Sequence, residues 1–350
     1  MRFGAHYLDT YVPELDGSMA QHYQDLFAQF ELLDQLGYDD VWVTEHHFHE
    51  YGGLISDPPV FLAAAARTTR RIHLGVAISV LPLHNPLQVA EGYAMVDVIS
   101  NGRLEFGVGR GSTPAEYASF RIGYDDSATR MKEGTQLIQQ AWRGETIHFQ
   151  GELFAYDDLR VLPKPVQEPH PPIWVGASRS DDTFRWAGLN GFHVMTLPYM
   201  YEPDVLRHWL DVYRAALVEA GYDPSTREVL GKFHVYVADS LEQARTEAIP
   251  YLARYAALAG ARSNRSTGSH SRDQEGFDEQ VERGNLIAGD PQRCIDIIER
   301  WREVLGLTTI SGTVSFGGMP QELALKNIRL FAERVMPAFE RRRAPRAVAS

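Results

Sequence analysis

Val41-Trp42-Val43-Thr44-Glu45-His46-His47-Phe48 begins as an apolar, β-branched run and ends in a carboxylate and two imidazoles. Such a run is typical of a buried parallel strand. In α/β folds, ligands bind beyond the carboxyl ends of the strands. Because histidine titrates near neutral pH, we predict that His46, with Glu45 beside it, serves a catalytic site. Strand alternation predicts that His47 faces the other way. The alternative is an imidazole that only caps a helix or bonds a carbonyl.

Strand-like and helix-like segments alternate along most of the chain, which is typical of a parallel sheet covered by helices. We predict strands at residues 3–6, 40–44, 73–80, 103–108, 173–177, 193–197, 231–237 and 309–314. We predict the main helices at residues 20–36, 59–69, 86–99, 129–142, 181–189, 203–220, 241–258, 291–305 and 320–339. Eight strands in this alternation indicate one α/β domain, a (β/α)8 TIM barrel spanning residues 1–340.

Two segments interrupt the alternation, and a third ends the chain. Residues from about 145 to 172 are too long and proline-rich for a tight crossover, and two short β-like runs within them predict a hairpin insertion. Residues from about 260 to 284 are rich in Ser, Arg, Asp and Gly, which predicts a mobile loop and a candidate lid. Residues 341–350 are predicted to be a solvated tail.

Composition narrows the possible partners and location. The net charge of −12 and a pI near 5.5 disfavour nucleic acid and anionic membrane surfaces, because both would repel the protein. The one cysteine, Cys294, excludes an intrachain disulfide. We expect a cytoplasmic protein, because no basic and apolar leader opens the sequence and no apolar run approaches the length of a membrane span.

A glycine-flanked arginine follows the fourth predicted strand. Gly109, Arg110 and Gly111 do not form a dinucleotide fingerprint, since the third glycine and the acidic partner are missing. Glycines let the backbone approach a ligand closely, and the planar guanidinium of Arg110 matches a phosphate group. The alternative is a glycine-lined turn whose arginine pairs with a carboxylate.

A second candidate anion site follows the fifth strand. Ser178, Arg179 and Ser180 lead into a predicted helix, where free N–H groups, hydroxyls and a guanidinium would converge on an anion. The histidines have no metal-ligand spacing, so no metal site is predicted. A serine hydrolase is also disfavoured, because no Gly-x-Ser-x-Gly motif follows a strand.

Over essentially its full length, the chain resembles the bacterial luciferase-like flavin monooxygenase family. The resemblance is carried, in one order, by VTEHHF at residues 43–48, LGVA at 74–77, VLPL at 80–83, DVISNGR at 97–103, FGVGRG at 106–111, PIWVGAS at 172–178, GDPQRCI at 289–295 and FAERVMP at 331–337.

This resemblance implies a barrel that holds reduced FMN, supplied by a separate flavin reductase, and uses O2 to oxygenate a small organic substrate. It implies that the flavin ring rests on a bulge with a non-prolyl cis peptide at Ala77-Ile78. The phosphate would be held by Arg110 beside Gly109, together with Ser178, Arg179 and Ser180. His46 would lie at the reactive edge of the flavin as a base or hydrogen-bond partner.

Several alternatives stay open. Gly109 stands where bacterial luciferase itself has a reactive cysteine, so light emission is not expected. Members of the family also use reduced deazaflavin for hydride transfer, and a non-catalytic barrel subunit is a third possibility. The identity of the substrate does not follow from the sequence. The resemblance also implies a homodimer, because barrels of this family commonly associate through helices beside the early strands, and the four alanines at residues 63–66 would allow close approach of helices. The alternative is that this face packs inside its own barrel.

Overall fold

The computed structural model describes residues 1–263 and 276–340 of the chain. The predicted tail at 341–350 and much of the predicted loop at 260–284 therefore lie outside the described residues. The described strands are β1 (Arg2–Tyr7), β2 (Asp40–Val43), β3 (His73–Val80), β4 (Leu104–Gly109), β5 (Ile147–Gln150), β6 (Ala155–Leu159), β7 (Ile173–Gly176), β8 (His193–Thr196), β9 (Val229–Val237), β10 (Leu286–Gly289) and β11 (Thr309–Thr313).

Eight of these strands close into a parallel barrel in the order β9-β11-β1-β2-β3-β4-β7-β8, and β8 pairs back to β9. The predicted (β/α)8 TIM barrel is therefore confirmed, with each predicted strand within two residues of the observed bounds. Strand β10 was not predicted. It has four residues and pairs in parallel with the C-terminal half of the long strand β9.

Helices cover the outside of the barrel. The described helices are α1 (Pro13–Asp16), α2 (Met19–Leu36), α3 (Pro58–Thr68), α4 (Pro86–Ser100), α5 (Pro114–Phe120), α6 (Ser127–Arg143), α7 (Asp181–Leu189), α8 (Pro203–Glu219), α9 (Leu241–Ser263), α10 (Phe277–Arg283), α11 (Pro291–Leu305), α12 (Gln321–Leu330) and α13 (Pro337–Glu340). Among the described residues, no helix is long and apolar enough to cross a membrane.

The helix boundaries follow from local chemistry. The Ser18 side chain accepts from the N–H of Gln21 to begin α2, and Gly37 ends the helix in the left-handed conformation. Two predictions were wrong in part. Residues 277–283, assigned to the mobile loop, form α10. The segment 320–339 is not one α-helix, because a π-helical turn at Phe331–Val335 and a further helix starting at Pro337 follow α12.

The predicted insertion contains an antiparallel hairpin formed by β5 and β6. It lies in the connection between β4 and β7, outside the barrel sheet. The hairpin is thus an addition to the barrel, and the barrel strands on either side of it still pair directly.

The barrel interior is closed at its N-terminal end. The guanidinium of Arg2 lies 2.9 Å from Asp40, 2.9 Å from Glu228 and 3.5 Å from Glu105. The next layer is apolar and packs Trp42, Trp174, Met195 and Leu230 together. Space for a ligand is therefore confined to the C-terminal half of the barrel, where the predicted site residues lie.

Candidate active site

Strand β3 ends in a bulge that protrudes toward its neighbours. Val76 pairs with Phe106 and Ser79 with Val108, so Ala77 and Ile78 oppose a single residue of β4. A cis peptide bond joins Ala77 to Ile78, at the position that the resemblance implied.

The Ile78 side chain fills the space that a side chain at position 109 of β4 or at position 176 of β7 would otherwise occupy. A Cβ atom on Gly109 would lie 2.2 Å from Ile78 Cδ1, and one on Gly176 would lie 2.8 Å from Ile78 Cγ2. Ile78 is thus an apolar platform that depends on glycine at both neighbouring positions. Such a platform fits one face of a flat aromatic ring.

The two candidate anion-binding loops lie side by side. Val108 of β4 pairs with Val175 of β7, and these strands lead directly to Arg110 and Ser178. The Arg110 side chain is exposed and forms no ion pair with a described residue. Its backbone carbonyl accepts a hydrogen bond from the Tyr117 hydroxyl, which fixes the turn.

Ser180 is the N-cap of α7, and its hydroxyl lies 3.1 Å from the Thr183 hydroxyl. Arg179 is exposed, whereas Ser178 and Ser180 are half-buried. Asp181 and Asp182 occupy the first turn of the helix and place negative charge near the same end. A phosphate placed here would therefore depend on the guanidinium groups more than on the helix dipole.

His46 is buried and oriented by a carboxylate that sequence analysis did not identify. Its Nδ1 lies 3.0 Å from Oε1 of Glu116, and the backbone N–H of His47 donates to the same oxygen at 3.2 Å. Since an ionised carboxylate only accepts hydrogen bonds, an ionised Glu116 places a proton on Nδ1 and leaves Nε2 as the other ring nitrogen. Glu116 lies on the unpredicted helix α5, 70 positions from His46, and no local motif connects the two.

The Glu45 carboxylate forms hydrogen bonds with His84, His47 and Val80. Its carboxylate accepts from Nε2 of His84 at 2.6 Å, from Nε2 of His47 at 3.2 Å and from the N–H of Val80 at 3.2 Å. Burial favours the neutral acid, but the hydrogen bonds from the two imidazoles outweigh it and lower the pKa of Glu45 to about 2. Glu45 therefore ties the loop after β2 to Val80, the last residue of β3, two positions beyond the Ala77-Ile78 bulge.

This geometry refines two sequence expectations. Strand β2 ends at Val43, so strand alternation does not extend to the histidines, and both imidazoles are buried. They nevertheless point to different carboxylates. Glu45, His47 and His84 also place ligand atoms within 4.8 Å of one another, a possible metal-ligand set that their spacing in sequence had not indicated. Hydrogen bonding to Glu45 accounts for this arrangement.

The Glu45–His84 pair should make stability depend on pH. Burial opposes the charge on His84, but the hydrogen bond to Glu45 raises the pKa of this imidazole overall. A raised pKa contributes stability below the unfolded value of about 6.5, and the contribution is lost as the pH rises through the folded value. We therefore expect His84→Gln to cost more unfolding free energy near pH 6 than near pH 9 in urea titrations.

His148→Gln is the matched control, because the His148 pair with Asp157 is exposed and should contribute little at either pH. An equal loss for His84→Gln at the two pH values would show that the imidazole is neutral in the folded protein.

Together, the barrel, the bulge and the oriented histidine define an α/β-barrel enzyme with its site at the C-terminal rim. The family model for luciferase-like monooxygenases matches residues 1–308. The chain belongs to the luciferase-like monooxygenase family.

Individual relatives agree with this assignment. The chain is 28% identical over 331 residues to the oxygenase component of flavin-dependent trigonelline monooxygenase from Acinetobacter baylyi, covering 91% of this chain and 90% of the relative. The crystal structure of monooxygenase RslO1 from Streptomyces bottropensis is 34% identical, with a TM-score of 0.86 over 97% of this chain and all of that chain. The oxygenating constituent of 3,6-diketocamphane monooxygenase from Pseudomonas putida, in complex with FMN, shares the fold at 18% identity and a TM-score of 0.79, covering 96% and 98% of the two chains.

Proposed function

We propose that this protein is the oxygenase component of a two-component system, which receives reduced FMN from a separate flavin reductase. It would insert one atom of O2 into a small organic substrate, while the other atom leaves as water and the flavin is oxidised. The observation that carries the proposal is the buried His46 imidazole, held by Glu116 at the same barrel rim as the Ala77-Ile78 bulge and Arg110. A relative named as an oxygenase component supports the two-component arrangement. We propose a cytoplasmic location for the system.

The residues at the rim fit FMN. Ala77 and Ile78 would support the flat ring, because Gly109 and Gly176 leave the Ile78 side chain as the surface between the strands. Arg110, Ser178, Arg179 and Ser180 would hold the phosphate, since they follow paired strands. When bound, reduced FMN supplies the electrons that activate O2.

The protein's own contribution is to hold a proton and to exclude water. Nε2 of His46 is the atom that would accept or share a proton, and Glu116 would stabilise the charged imidazole that results. Glu45 would act as a positioning residue, because its carboxylate accepts hydrogen bonds from His47 and from the N–H of Val80 beyond the bulge. The side chains of His46, Glu116 and Glu45 are buried, which excludes water from around them.

Oxygen consumption separates this function from the two alternatives. The purified protein should bind FMN and consume O2 when reduced FMN is supplied by a reductase. A deazaflavin-dependent oxidoreductase would instead bind reduced deazaflavin and transfer its hydride to an organic substrate without consuming O2. Failure to bind either cofactor in a titration followed by absorbance would favour a non-catalytic subunit.

An exposed apolar surface on two packed helices supports the homodimer. Met95, Val98 and Ile99 share one face of α4, and Val60 of α3 is 68% exposed. We propose that this surface forms a two-fold interface, and we expect light scattering at micromolar concentration to give twice the chain mass. Val98→Glu should shift the protein to a monomer. A monomeric wild-type protein would reject the dimer.

A further inference from the structure

Four polar atoms inside the barrel have no hydrogen-bond partner among the described residues. They are Nδ1 of His6, Nε2 of His234, Oγ of Ser311 and Oγ1 of Thr313. All four side chains are more than nine-tenths buried. Buried polar atoms are normally hydrogen-bonded, so a group of unpartnered atoms in one place calls for a specific explanation.

These residues lie on three adjacent strands and face the barrel interior. Residues paired across parallel strands point to the same side, and His6 of β1 pairs with Trp42, which packs inside the barrel. Gly4 of β1 pairs with Ser311 of β11, which places Thr313 in the row of His6. Thr313 in turn pairs with His234 of β9. His6, Thr313 and His234 therefore form one row across the interior.

The next row toward the N-terminal ends of these strands contains a positively charged residue. Lys232 pairs with Ser311, two residues before His234, and is buried. Burial and the nearby Lys232 charge lower the pKa of His6 well below its usual value, and the same two causes lower the pKa of His234 to about 3. Both imidazoles are therefore neutral, and the positive charge of this layer belongs to Lys232.

The layer lies directly beneath the candidate active site. Leu8 follows His6 by two positions, and Gly52 lies against both Leu8 and His46. Aromatic rings surround His234 on the other side. The ring centroids of Tyr255, Phe316 and Tyr199 lie 4.4, 5.4 and 5.7 Å from that of His234.

We infer that His6, Lys232, His234, Ser311 and Thr313 form the polar end of the substrate pocket and bind an acceptor oxygen, a carboxylate or carbonyl, of a planar aromatic substrate. The inference rests on the proposed function, because it places the substrate between this layer and His46. Hydroxyls, an ammonium group and neutral imidazoles are all able to donate to such an oxygen, and the aromatic rings match a flat substrate body.

Binding of a matched pair of probes tests the inference without turnover. 2-Naphthoate and 2-methylnaphthalene share a flat ring system and differ in the acceptor oxygens. We expect calorimetry on the full chain, saturated with oxidised FMN, to show 2-naphthoate binding about tenfold or more tightly than 2-methylnaphthalene. Lys232→Met should remove most of this preference, and Thr313→Val should reduce it by about threefold.

Controls separate binding from folding. Thr313→Val keeps the shape of the side chain and removes an unpartnered hydroxyl, so its melting temperature should not fall. Lys132→Met, on helix α6, should leave the preference for 2-naphthoate unchanged.

Equal affinity for the two probes, or an unchanged preference in Lys232→Met, would overturn the inference. Weaker FMN binding in Lys232→Met with unchanged 2-naphthoate binding would also overturn it, by assigning the layer to the cofactor. Failure of the wild-type protein to bind FMN would instead count against the proposed function. The FMN titration therefore tells the two failures apart.

Discussion

His46→Ala is expected to bind FMN normally and to lose on the order of 10² to 10⁴ in product formation. Binding should persist, because the proposed phosphate contacts lie on the loops after β4 and β7. Product should be lost, because Glu116 orients the His46 ring through Nδ1 and the proposed mechanism transfers the proton at Nε2. Reduced flavin should then be consumed with release of hydrogen peroxide. The measurement is the ratio of product to peroxide once a substrate is in hand.

Two further variants sharpen this test. Glu116→Gln keeps an oxygen that accepts from Nδ1 but removes the charge, so kcat should fall less than in His46→Ala, with little change in KM. His47→Ala should act mainly on stability, because His47 donates to Glu45 and packs 4.8 Å from the Phe120 ring. Wild-type rate and coupling in His46→Ala would make the imidazole structural and the mechanism wrong.

The barrel could be predicted from the sequence because its signals are local. Most barrel strands are short runs rich in apolar and β-branched residues, and the turn residues between them mark the helices. Strand β10 has only four residues and follows a polar segment, and its pairing depends on β9 being long enough to bind three neighbours. The three pairings of β9 form only in the closed sheet, so the local sequence pattern does not predict them.

The site was predicted only in part, for a similar reason. His46 and Arg110 are conspicuous because they follow strands, whereas Glu116 becomes meaningful only when α5 brings it to His46. The polar residues of the layer stand inside predicted strands, and the sequence alone does not tell which face of the sheet they occupy. Whether Lys232 and Thr313 face the interior follows from the pairing of β9 with β11, two strands that are distant in sequence. Contacts between distant segments therefore determine what local patterns could not.

Arg110→Ala is expected to weaken FMN binding by about 1.5 to 3 kcal/mol, the range for hydrogen bonds to a charged group, while riboflavin binding changes little. This energy corresponds to a roughly ten- to 150-fold rise in Kd. The expectation rests on an exposed guanidinium that forms no ion pair with a described residue and lies one residue beyond strand β4, beside the loop that carries Ser178.

Riboflavin makes the test specific, because it has the same ring as FMN and lacks the phosphate. Arg160→Ala is the matched control, since Arg160 is an exposed arginine of the hairpin insertion, 3.9 Å from Glu145, and its loss should leave both affinities unchanged. Arg179→Ala should resemble Arg110→Ala if the two guanidinium groups share one phosphate. Equal losses of FMN and riboflavin affinity in Arg110→Ala would mean that this arginine supports the loop or the ring, and the phosphate site would then have to be sought elsewhere on the rim.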